Sequence, residues 1–171
     1  MYMHIASHGD PVQMAKAIHD ALALTKTPAP DTNPAPPPNA DLAFDQKQVE
    51  QTLGHAGKVN GGVLQFSVPR SETIKDSGMT IPPSMGVATA LNFQPTGNGK
   101  AAITGDFVLI ASEVNPVIKA LRENGITVTA LHSHMLTEEP RLFFMHFWAN
   151  DDALKLAKGL RAALDQTNSS K

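Results

Sequence analysis

Residues 28–38, PAPDTNPAPPP, hold six of the chain's 13 prolines and restrict its fold more than any other stretch. Proline fixes φ at about −65° and removes a backbone donor, so such a run forms neither helix nor central strand. It is expected to be an extended, polyproline-like connector. It would part a strand–helix tail, residues 1–27, from a main body, residues 40–171, with residues 28–39 as linker. A body of that length can bury a core without disulfides or structural zinc.

Composition removes several function classes. With no cysteine, thiolate catalysis, iron–sulfur clusters and cysteine-based zinc sites are excluded. Fourteen basic against 16 acidic side chains, with no run of one sign, leave no electrostatic footprint for nucleic acid. No apolar stretch approaches the roughly 18 residues of a membrane span, and the start lacks the basic region and hydrophobic core of a signal peptide.

The tail repeats the end of the body. Residues 1–25 align without a gap on residues 143–167, with eight identities that include Met3 and His4 on Met145 and His146, and Asp10 on Asp152. Two alanine-rich amphipathic helices would align passably by chance. The shared Met-His lies outside the helix, however, and points to one full repeat preceded by the end of another.

Within the body, Asp45 and Gln48 make a capping box with Phe44 as staple, and Gly54 ends that helix. Residues 62–68 alternate as a strand, and residues 69–85, with Pro69, Gly78, Pro82 and Pro83, are expected to be a long loop. Strands over 86–94 and 100–111 flank Thr96-Gly97-Asn98-Gly99, a hairpin signal. Asn115-Pro116 is expected to open the next helix and Gly125 to close it. Strands at 126–135 and 141–149 follow, split by a turn at 137–140, and Asp151 is expected to cap the last helix. This order predicts an α+β fold, a largely antiparallel sheet layered with helices.

Three of the seven histidines fall within fifteen residues. His132 and His134, two apart on a strand, project from one face. A turn centred at 139 would set His146 opposite His132, and one centred at 140 would set it opposite His134. In either register the three rings converge, whereas a one-residue slip would send His146 to the other face. Glu138 or Glu139 would add a carboxylate as fourth ligand or general base. Three imidazoles and a carboxylate suit zinc, iron, nickel or copper with a position left for water or substrate. The bland alternative is that the histidines pack and hydrogen-bond beside Phe143, Phe144, Phe147 and Trp148.

Other residues are weaker candidates. Asp106, a charge amid an apolar strand, should be paired if buried, by an imidazole or, slightly favoured, by backbone or lysine. Glu113 would complement a helix dipole. Arg70 and Arg141 flank strand ends and could clamp an anionic substrate, with solvation the simpler reading. His8 and Asp10 read as capping, while His19 and His55 default to solvent. Gly97-Asn-Gly-Lys100 lacks the spacing of a phosphate loop, and no Gly-x-Ser-x-Gly elbow or dinucleotide fingerprint occurs.

The strings GDFVL, EVNPVIKALRENGITVTALHSHML and PRLFFMHFW, in that order, resemble the bacterial LppY/LpqO family over residues 45–167. The resemblance implies two tandem repeats in typical members, of which MYMHIASHGDP is similar to the end of the first. It also implies shared positions at His132, His134, the acidic turn, Arg141 and His146, with Ser133 where asparagine is commoner. Many members are exported or lipid-anchored, whereas this chain shows neither signal peptide nor lipobox cysteine. The family carries no established activity.

Two functions are therefore expected. One is a metal-binding, enzyme-like domain acting on a small-molecule ligand. The other is a non-catalytic binding or structural module in which the histidines line a groove or interface. A third expectation concerns assembly: residues 1–27 docking on a second copy to give a homodimer by exchange.

Overall fold

The structure is a computed structural model that describes residues 5, 7–26 and 42–170. The chain forms two units, Met1–Ala35 and Pro36–Lys171. The linker expected at 28–39 and the strand expected before Ile5, with His4, lie outside the described residues. In the first unit, helix α1 (Pro11–Ala23) starts at Asp10, whose side chain accepts from the Gln13 N–H at 2.9 Å. Proline at the first helical position is pre-set for that conformation.

The second unit is an α+β fold. It opens with helix α2 (Gln46–Leu53), N-capped by Asp45 and closed by Gly54 at φ 75°. Gln48 donates its backbone N–H and its side-chain amide to the Asp45 carboxylate, at 3.1 and 2.9 Å. Strands β1 (Lys58–Asn60) and β2 (Val63–Pro69) follow. After them come β3 (Lys75–Asp76) and β4 (Met79–Thr80), a 3₁₀ turn at Pro83–Met85, β5 (Ala88–Gly97) and β6 (Lys100–Leu109). Helix α3 (Ala111–Glu123), strands β7 (Thr127–His132), β8 (Glu138–Glu139) and β9 (Phe143–Asp152), and helix α4 (Ala153–Leu164) complete it.

Six strands form one sheet in the order β1-β2-β5-β6-β9-β7, and every neighbouring pair is antiparallel. Three helices cover one face. Val49 and Leu53 of α2, Val117 and Leu121 of α3, and Leu156, Leu160 and Leu164 of α4 pack on Phe66, Phe93, Phe107 and Phe147. Alternation along each strand therefore sends the intervening residues to the opposite face. A second, smaller apolar cluster on that face joins Ile74, Val87, Val108, Leu142 and Phe144. It covers one end of that face.

Three local expectations change. The stretch 69–85 is not a plain loop, because β3 and β4 form a tight hairpin that pairs with β8 in a small sheet ordered β4-β3-β8. Ser77 and Gly78, both at positive φ (50° and 80°), supply the two-residue turn such a hairpin demands. Helix α3 starts at Ala111 rather than after Asn115, leaving Pro116 inside it. Glu113 causes the early start: its carboxylate takes the Ile110 N–H at 2.9 Å and so holds a first turn in place. The last helix is capped by Asp152 rather than Asp151.

Glu113 also does more than complement a dipole. Its two oxygens receive Arg70 Nη1 and Nη2 at 2.7 and 3.0 Å, and the Asn168 N–H at 2.8 Å. Arg70, only 6% exposed, gives its remaining donors to Glu72 and the Val108 carbonyl. The arginine is thus a buried, saturated strut joining β2, β6, α3 and the C-terminal segment, in place of the solvated side chain expected.

Candidate metal centre

Strand β7 ends the sheet, and its pairing with β9 places Ala130 opposite His146 and His132 opposite Phe144. The connection is thus centred at 138, one residue short of the first expected register and two short of the second. Parity survives the shift, so His132 and His146 stand as diagonal neighbours on one face. Their ring centroids are 4.9 Å apart, and their Nε2 atoms 2.7 Å. His134 follows just beyond the strand, 5.0 Å from His132 between centroids. One nitrogen from each of the three rings lies within 4.8 Å of the others, and all three residues are half-buried.

The outer ring nitrogens face backbone carbonyls. His146 Nδ1 lies 3.3 Å from the Gly105 oxygen, and His132 Nδ1 lies 3.4 Å from the Ser133 oxygen. A hydrogen on Nδ1, donated to each carbonyl, leaves each Nε2 as a lone pair. With both hydrogens on Nδ1 the 2.7 Å Nε2 pair is bridged by a shared proton or a cation, and with one on Nε2 that ring donates to the other. The first is the arrangement in which backbone carbonyls orient metal-binding imidazoles from behind.

Gly105 is fixed by packing as much as by this contact. A Cβ there would fall 1.9 Å from the Ala90 carbonyl oxygen, so only glycine permits the approach of β5 and β6. Its neighbour Asp106 sits directly opposite His146, with Ala90 on its other side. Burial pushes the Asp106 carboxyl up, while charge on His146 and His132 and a hydrogen bond from the Ala90 backbone pull it down. Asp106 thus has the slightly favoured backbone partner, at Ala90, and stands opposite the imidazole of the functional reading, His146, as a charge neighbour.

The other candidates lie around this centre. Glu138 is 3% exposed, and its carboxylate accepts the Leu142 N–H at 2.9 Å and Arg141 Nη1 at 3.2 Å. Arg141 also reaches the Met135 carbonyl and Ser133 Oγ, so it braces the connection between β7 and β9. Glu139 is exposed and pairs with Lys75 in the small sheet. Arg70 belongs to the buried strut. The triad of nitrogen donors among the described residues therefore consists of histidines alone.

Sequence reasoning did not single out Trp148. It is the chain's only tryptophan, stands two residues after His146 and hence on the same face, and is 50% exposed. Those two facts, a lone indole and a period of two from a site histidine, were its signal.

Residues 47–166 match a family model described as Domain of Unknown Function (DUF1259). A search of curated proteins and a search of solved structures each return no match.

Proposed function

We propose that this chain, which belongs to the family described as Domain of Unknown Function (DUF1259), binds a divalent transition metal at His132, His134 and His146. The observation that carries the reading is the facing pair of Nε2 atoms backed by carbonyl-oriented Nδ1 atoms. In a tetrahedral zinc site two imidazole nitrogens stand about 3.3 Å apart, so a small parting of the rings admits an ion. All-nitrogen donors of this kind suit zinc, nickel, copper or iron.

The site would serve a metal-dependent enzyme. Such an ion, when bound, supplies Lewis acidity and lowers the pKa of a coordinated water. Asp106, across the strand pair from His146, is the carboxylate placed to accept a proton from water or substrate. In this reading Asp106 takes the role expected of Glu138 and Glu139. The LppY/LpqO resemblance and a tandem parent fit alongside. Helices α1 and α4 each begin after an aspartate, Asp10 and Asp152, at the aligned positions.

One observation favours the alternative, a non-catalytic module. The His134 ring lies flat on Phe144, centroids 3.5 Å apart at 4°, as a packing residue would. Elemental mass spectrometry on untagged protein, beside the variant with alanine at all three histidines, decides between them. A near-stoichiometric transition metal, lost in the variant, is expected. An empty protein that takes up neither zinc, nickel, copper nor iron overturns the metal reading.

A further inference from the structure

The face of the six-stranded sheet away from α2, α3 and α4 is ordered in transverse rows, each two residues or about 6.7 Å from the next. The row nearest the small sheet is His132, Phe144 and Val108, each opposite the next. Next comes Ala130, His146, Asp106 and Ala90. The third row is Thr127, Trp148, Thr104, Asn92, Gln65 and, at the far edge, Lys58, each opposite the next across six strands. Trp148, Thr104 and Thr127 are exposed, and Asn92 and Gln65 are half-exposed.

We propose that this third row, centred on Trp148 and bordered by His146 and Asp106, is a binding platform for a neutral saccharide. The proposal rests on the metal-centre reading for its catalytic meaning, since it names the substrate class that centre would act on. Three features select the occupant. The row is uncharged from Thr127 to Gln65 and its one cation, Lys58, stands on the far edge strand four strands from Trp148, so no Arg or Lys of the row lies beside the indole to recognise a phosphate or carboxylate. An exposed indole offers a flat apolar surface to the C–H face of a sugar ring, while flanking hydroxyl and amide groups match its hydroxyls in kind.

Shape and area give the third. Alanines at 90 and 130 flank the His146–Asp106 pair, so a ring stacked on Trp148 has an unobstructed edge towards that pair. A second protein copy would need a larger apolar patch than this row provides, because its one large apolar side chain is Trp148.

Trp148, being the sole tryptophan, reports on its own row. Metal-free and zinc-loaded full-length chain would be titrated with oligosaccharides of glucose, N-acetylglucosamine, mannose and galactose, read by tryptophan emission and calorimetry. At least one saccharide is expected to shift the emission saturably. Trp148→Ala, read by calorimetry, should weaken binding about tenfold or more while the zinc content stays that of the parent. Thr104→Lys, which charges an exposed position on the row, should weaken it as well and guards against a folding defect at Trp148.

No binding by any of the four series overturns the proposal, as does binding unchanged in both variants. So does light scattering that shows a dimer of the parent dissociating on Trp148→Ala, which would make the face an interface between copies. Saccharide bound without metal uptake keeps the platform and sinks the metal centre. Metal without saccharide does the reverse.

Discussion

Two polar clusters flank strand β6, and they are built on opposite logic. At Arg70 every guanidinium nitrogen meets an acceptor, and Glu113 answers with both oxygens on Arg70 and two backbone N–H groups besides. At the histidines, like atoms face each other at 2.7 Å, and the nearest carboxylate, Asp106, has its ionised form disfavoured by burial. A cluster whose charges close on themselves holds a fold together. One whose ring nitrogens converge on a shared point is arranged to bind there, and such clusters of titratable groups mark candidate sites of chemistry.

Breaking the strut should therefore cost stability alone. Arg70→Met strands the Glu113 carboxylate in the interior, and urea unfolding should show a loss of about 3–5 kcal/mol with metal content unchanged. If metal is lost along with stability, the two clusters are one unit and the contrast fails. Gly105→Ala touches both clusters' strand at once. The methyl group must push β5 and β6 apart, which should cost about 1–3 kcal/mol and, by moving the carbonyl behind His146, also weaken metal uptake. A stable variant with full metal content would show that the carbonyl does not orient the ring.

The smallest effect lies at the rim of the strut. Burial, the largest single influence, would raise the Glu72 carboxyl, but hydrogen bonds from Arg70, Asn168 and the backbone together with the arginine's charge outweigh it and hold the group below the ordinary 4.5. A depressed carboxyl stabilises the fold above its unfolded pKa, and that contribution is lost as pH falls through the lower folded value. Glu72→Gln should hence be less stable than the parent by under about 1 kcal/mol at neutral pH. The difference should close below pH 4.5, as acid titration followed by circular dichroism would record. A gap that persists at low pH would assign the effect to packing.

Locally encoded features were legible in the chain. Asp45 and Gly54 mark a helix by short-range hydrogen bonds, and Gly97-Asn98-Gly99 marks a hairpin by its positive φ values. The convergence of the histidines was legible too, because strand parity needs only even spacing. What failed to show was set by distant partners. The register of β7 on β9 is fixed by Arg141 and Glu138 tying the connection together rather than by a tight turn. The start of α3 depends on Glu113, whose arginine lies just past β2, and Asn115-Pro116 offered a stronger local cue at the wrong place. The small sheet joins two-residue strands, too short for any alternating pattern.

Strand β7 closes the series of six and so, among the described residues, has a single neighbour, β9, along its length. Two of the three histidines sit at or just past its end. Terminal strands fray at a small fraction of the free energy of global unfolding. An ion held there would leave by local opening rather than by denaturation, and its presence would in turn slow amide exchange along Thr127–His132. Loading and release would then be governed by the breathing of one outer strand while the helix-backed layer stays folded.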